Sequence, residues 1–252
     1  MGKKMKKLFA LLIITIVLSS IPLVAAVNAK SVTCKVVYIY EESFAKPDGV
    51  GKPPKPPKPD PEPEEPQLYE LMGPKWKTLP VNYVINPSND DGLSFEVVTS
   101  VISSSAETWD AALTTINIFN NAYTTDESIS VDLDDPKTNT FNEIVFGDIP
   151  QSGAIAVCLV WSTTRGPPSQ RGIVEFDIVF DNVDFTWGTD GSDSVMDLQN
   201  IATHELGHAL GLADLYFDEA SEQTMYGIGQ VGETKKRTLD DGDIAGITVL
   251  YG

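Results

Sequence analysis

The chain has 252 residues, 42% of them hydrophobic, with 18 basic and 36 acidic side chains and a formal net charge of −18. That length allows one or two domains with a sizeable core, and the apolar content excludes a disordered chain. The acidity argues against a nucleic-acid partner, and two cysteines exclude a disulfide-dense scaffold.

The first seven residues carry Lys3, Lys4, Lys6 and Lys7 and no acid, and an apolar run follows from Leu8 to Leu18. Ser19, Ser20, Pro22 and small residues up to Ala29 complete the pattern of a secretory signal over residues 1–29. The pattern favours cleavage after Ala29, with Ala25 and Ala26 as alternatives. The competing reading is an uncleaved anchor, since Leu8–Val27 is 20 residues long and about 20 span a bilayer. Either way the remainder is expected outside the cytoplasm, secreted or tethered at the cell surface. Losing residues 1–29 would leave 14 basic and 36 acidic residues, a net of −22. Such a surface attracts cations.

Residues 30–45 read as a short N-terminal segment in which SVTCKVVYIY has the look of a strand. Residues 46–66 differ in kind, with nine prolines among 21 residues. Proline fixes φ and removes a backbone donor, so this stretch is expected as a linker, with a reach of roughly 65 Å at ~3.1 Å per residue. Too few residues precede it for a core. One globular domain is therefore expected over 67–252.

Within that domain Val81–Ile85 alternates as a strand does. Phe95, Val98, Ile102, Ala106, Trp109 and Leu113 step by three and four, marking an amphipathic helix capped by Ser94. Strand-like runs follow at Glu143–Ile149, Ile155–Trp161 and Ile173–Phe180. A second helix is expected over Val195–Leu210. A third is expected from Thr238, with Asp241 completing a capping box and Ile244, Ile247 and Leu250 as its buried stripe. The fold class is α+β, a mixed sheet covered by about three helices.

The second helix holds His204-Glu205-Leu206-Gly207-His208, the chain's only two histidines. Residues four apart share a helical face, so both imidazoles can chelate one zinc ion, with Glu205 beside them and free to act on a water. A catalytic zinc takes three protein ligands, and no histidine is left for the third place. Gly211 can end the helix with positive φ and return Asp214 toward the ion. Asp218, Glu219 and Glu222 compete for that place, as do Cys34 and Cys158 more remotely. The plainer alternative is a pair of ordinary histidines, which the spacing and the intervening glutamate disfavour.

The run HELGHALGLAD resembles the metzincin motif H-E-x-x-H-x-x-G-x-x-H, with Asp214 in the last position as in the snapalysin type. The rest of the domain is similar to a matrixin. GPKWKTLPVNYVI resembles that family's first strand and SFEVVTSVISSSAETWDAAL its first helix. IVEFDIVFDN resembles the strand before the zinc helix, TMYG the Met-turn, and RTLDDGDIAGITVLYG the closing helix. The resemblance implies a zincin-like fold with the zinc helix at the floor of a cleft and Met225 beneath the metal. By analogy it makes Ile155–Trp161 the edge strand that pairs with substrate. Asp214 departs from the motif, the matrixin loops for structural zinc and calcium are not matched, and the propeptide cysteine switch is absent.

The implied activity is zinc endopeptidase action on extended polypeptide, with metal ligands His204, His208 and Asp214 and Glu205 as general base. A monomer is expected. Tyr226 could aid the oxyanion, with packing as its plainer role. Asp181, Asp184, Asp190 and Asp193 could bind structural calcium, or form a solvated acidic loop. Competing functions are a non-catalytic zinc-binding interaction module and a zinc amidase on cell-wall substrates. The pocket reading the residue after the scissile bond is expected within Leu215–Gly232.

Overall fold

A computed structural model of the chain describes residues 32–44, 67–120, 123–163, 165–167 and 171–252. The expected export signal and the proline-rich linker lie outside the described residues. Among those described, no helix is long and apolar enough to cross a membrane.

In chain order the elements are β1 (Val32–Glu41), β2 (Glu70–Leu71), β3 (Val84–Ile85), α1 (Phe95–Asp110), β4 (Thr124–Thr125), β5 (Glu143–Gly147), β6 (Ala154–Thr163) and β7 (Gly172–Asp181). Then come β8 (Trp187–Gly188), β9 (Met196–Asp197), α2 (Leu198–Leu210), β10 (Leu212–Ala213), β11 (Ile228–Gly229) and α3 (Asp241–Tyr251). The main sheet has the order β11-β1-β6-β7-β5-β3-β4. Strands β4, β3, β5 and β7 run parallel, and β6 runs antiparallel to β7. This is the α+β architecture expected.

Side chains alternate across β6 and β7, so each strand supplies both faces of the sheet. Ala156, Cys158, Val160, Phe176, Ile178 and Phe180 join Val98, Ile102 and Trp109 of α1 and Ile201 and Leu206 of α2 in one core. Val157, Leu159, Trp161 and Val179 face the other way, under Ile129, Val131 and Leu133. Every residue of β6 is buried. That second face also carries acids. Glu175 accepts the N–H groups of Asn139 and Thr140, and Asp177 accepts that of Glu143 at 3.0 Å. Burial, then the charges of Glu143 and Glu175, push Asp177 up to about 8 against the opposing backbone hydrogen bond.

The first helix is capped by Ser94 as expected. The other two start later. Asp197 caps α2, and Asp240 with Asp243 forms the capping box of α3. Thr238 does not cap, because its carbonyl accepts the Thr224 hydroxyl at 2.9 Å and its own hydroxyl turns to Lys235 O. Ile244 is exposed, and the buried stripe is Ile247, Leu250 and Tyr251. Of the expected strand at Val81–Ile85 only Val84 and Ile85 join the ladder, Val81 making an isolated bridge to Phe119.

Two readings are corrected at the far side of the sheet. Residues 32–41, expected to stand before the domain, form β1 and pair antiparallel with β6 from Val32↔Thr163 to Tyr40↔Ala154. Ile155–Trp161 is therefore an interior strand and not the sheet edge. The physical reason is the alternation in SVTCKVVYIY, which turns Val37 and Ile39 inward while the backbone closes an otherwise open edge.

Candidate metal centre

The centre is built by α2 and the turn that ends it. Gly211 takes φ +106°, and a Cβ there would lie 2.6 Å from Pro74 O, so glycine is required on both counts. The turn sends the chain back toward the helix. His204 and His208, on successive turns, bring their Nε2 atoms to 3.1 Å from each other. Asp214 Oδ1 stands 3.2 Å from the first and 3.1 Å from the second. The ligand atoms of these three residues all lie within 4.8 Å of one another, the arrangement of a group that could hold a metal ion.

Hydrogen bonding decides which atoms face inward. His204 Nδ1 donates to Thr224 O at 2.7 Å, and His208 Nδ1 donates to Leu212 O at 2.9 Å. A carbonyl only accepts, so each Nδ1 carries the ring proton and each Nε2 presents a lone pair. Hydrogen bonds from both rings to Asp214 would need two buried imidazolium ions in contact, which like-charge repulsion opposes. Asp214 Oδ1 thus has no hydrogen-bond donor among the described residues. Three lone-pair donors converge with no proton to share, an arrangement that calls for a cation. Two imidazoles and one carboxylate suit zinc.

Burial opposes ionisation of Asp214, yet His208 and the contacts with both rings hold it well below the usual carboxylate range. Burial pulls His204 down; at His208 burial is again the largest single effect, but the Asp214 charge and contact, the Glu205 charge and the Leu212 carbonyl together outweigh it and raise the ring. Glu205 is fully buried with neither carboxylate oxygen hydrogen-bonded. Burial, with the Asp214 charge added and that of His208 opposing, pushes it up to about 8.

Met225 is buried with its Sδ against Gly207 of α2, where a Cβ would meet that sulfur and come within 2.7 Å of Trp109 Cζ2. The turn that carries it is clamped by Asp243 of α3, which accepts the N–H groups of Thr224 at 2.7 Å and Met225 at 3.1 Å. Thr224 O in turn orients His204. Asp243 is therefore a positioning residue that sequence reasoning missed. Tyr216 is another, donating its hydroxyl to Asp214 Oδ2 at 3.0 Å. Its signal was its place two residues beyond Asp214.

Other candidates fall elsewhere. Asp218 and Glu219 lie in a short 3-10 turn, and Glu222 pairs with Lys235 at 3.4 Å. Neither cysteine forms a disulfide, Cys34 being opposite Trp161 in register and Cys158 opposite Val37. The Tyr226 ring faces Lys235 and Lys236, with Nζ at 6.0 and 5.9 Å from its centroid. Asp181 accepts the N–H groups of Val183 and Asp184 in its own turn, and Asp190 that of Ser192. No metal-holding group of three includes Asp181, Asp184, Asp190 or Asp193 among the described residues.

Matrilysin of Rattus norvegicus is 41% identical over 76 residues, which cover 30% of this chain and 27% of that protein. The match thus spans about a quarter of that relative's length. The matrixin family model matches residues 75–252, every element from β3 to α3 included, and that family implies zinc. With strands β3 to β7, the zinc-helix motif and the closing helix all inside that match, the chain belongs to the matrixin family of peptidases.

Proposed function

We propose that this protein is an exported zinc-dependent endopeptidase that hydrolyses extended polypeptides. The observation that carries the reading is the convergence of His204 Nε2, His208 Nε2 and Asp214 Oδ1 beside a buried Glu205 with no partner. Zinc would be held by those three atoms, and when bound would supply the Lewis acidity that activates water and polarises the scissile carbonyl.

The remaining work falls to the chain. Glu205, made more basic by burial, takes a proton from the attacking water and hands it to the leaving amine. Thr224 O and Leu212 O keep both imidazole rings in one tautomer and orientation. Tyr216 holds Asp214 Oδ2, which keeps Oδ1 aimed at the histidines. An aspartate in place of a third histidine removes one unit of positive charge from the centre. We therefore expect a pH optimum above that of a three-histidine relative. Export rests on the basic start and apolar run of residues 1–29.

Two experiments test the assignment. Glu205→Gln should retain zinc and lose casein cleavage by about 10²–10⁴-fold; unchanged turnover rejects the general base. Asp214→Ala should lose zinc by elemental analysis while Glu219→Ala keeps it, and the reverse result would reject the ligand set.

A further inference from the structure

Strand β6 is paired on both sides, by β7 from Ala156 to Thr163 and by β1 from Ala154 to Thr163. The matrixin match starts at residue 75, so β1 comes from outside it. Without β1 the strand β6 would be a free sheet edge, the kind of edge to which an extended polypeptide adds as a further strand. Strand β1 lies along that edge antiparallel to β6 and parallel to β11. Its Tyr40 N–H donates to Gly227 O at 3.2 Å, two residues beyond Met225, and Glu41 N–H donates to Gly153 O at 2.9 Å. Ile39 is fully buried. It meets Ile155 of β6 and Ile201 of α2 around Gly229, where a Cβ would lie 3.4, 3.0 and 3.3 Å from their respective Cδ1 atoms. Ile201 is three residues before His204 on the same helix. Tyr40 is near enough to Asp214 for that charge to add to the burial and Tyr38 effects that raise its phenol.

With β1 in this place His204, Glu205 and His208 have no solvent exposure. A polypeptide could not bring a peptide bond to Glu205. Yet β1 is more lightly held than β7: Val32–Val36 are exposed, Val37 and Ile39 are its only buried residues, and Tyr38 and Tyr40 are half-buried against the second core.

We propose that β1 is a built-in plug, occupying the β6 edge where an extended peptide would add as a strand, so that the full chain is latent until this strand leaves. This rests on the endopeptidase reading, and the test separates the two. Ile39→Glu in the full chain puts a charge at a buried position of β1, and Val32→Glu changes an exposed position as the control. Amide hydrogen exchange over 154–163 reads the pairing, and cleavage of dye-labelled unfolded casein reads access. Ile39→Glu should deprotect β6 amides and raise cleavage about tenfold or more, Val32→Glu should do neither, and excess synthetic 32–41 peptide should reverse both changes. Should Ile39→Glu fail to fold, a site for a sequence-specific protease placed within 46–66 and cut after folding serves instead. Amides of β6 that stay protected after both manipulations mark β1 as a fixed strand and overturn the proposal. Deprotection with cleavage at the unaltered rate overturns it too and leaves the endopeptidase reading standing. A deprotected chain that cleaves nothing, yet binds fluorescent unfolded casein displaceable by the 32–41 peptide, retains the plug and rejects the endopeptidase. Neither cleavage nor binding overturns the plug.

Discussion

The two strands that flank β6 differ in what holds them. Both make long antiparallel ladders with it, so backbone hydrogen bonding does not distinguish them. Side-chain burial does, since β7 buries nine of its ten residues and β1 only two. Two apolar side chains contribute about 1.5–3 kcal/mol each. Ordering ten residues opposes that at about 1–2 kcal/mol per residue, offset in part by the ladder itself. Strand β7 is framework. On this comparison β1 is expected to open before the core does. A sheet can therefore look continuous and still contain one strand that comes away without unfolding the rest.

The largest effect should come from the framework side. Phe176→Ala on β7 removes a fully buried ring from the core beneath α1 and α2, and should lower stability by about 3–5 kcal/mol in denaturant melts. Zinc should act on the same side. At a free concentration a hundredfold above its Kd it should add about 2.7 kcal/mol, slowing amide exchange on α2 and leaving β1 unchanged. Chelation should reverse this, and Asp214→Ala should be insensitive to it. Equal protection of β1 by zinc would break the comparison.

Asp177 gives a smaller effect with a defined pH window. Its carboxyl is raised in the folded state, so the fold holds a proton that the unfolded chain releases near pH 4. Stability is penalised progressively as pH rises from about 4 to about 8, and fully above that. Asp177→Asn keeps an acceptor for the Glu143 N–H and should stabilise the protein by on the order of 1 kcal/mol at pH 9, with no gain at pH 4. A gain that grew toward acid pH would refute the burial account. The smallest global effect is reserved for β1. Ile39→Ala should lower overall stability by under ~1 kcal/mol, because the strand opens before the core does, while exchange on β6 quickens. A loss as large as that of Phe176→Ala would place β1 in the cooperative core.

Much of the site was legible because its signals are local. The i, i+4 histidines, the glutamate between them and the glycine that ends the helix are all set by helix geometry, and the turn does return Asp214 to the rings. The three helices and five of the seven strands of the sheet were legible from periodicity, with helix starts shifted by a few residues where a nearby aspartate caps instead, whereas β4 and β11, two residues each, are too short to carry a period. What escaped was non-local. SVTCKVVYIY reads as a strand, but nothing in it says that its partner lies more than a hundred residues away in β6. That one pairing moved Ile155–Trp161 from edge to interior. Asp243 and Tyr216 escaped for a related reason, since their roles depend on where two turns deliver a backbone N–H and a carboxylate oxygen.

The clamp made by Asp243 has a consequence in time. A ribosome releases the HELGH helix and the Met225 turn before it releases α3. Until that last helix docks, the carbonyl that orients His204 has no fixed position. The nascent chain thus carries its histidines in an unfinished cradle, and order of synthesis alone delays the assembly of the centre.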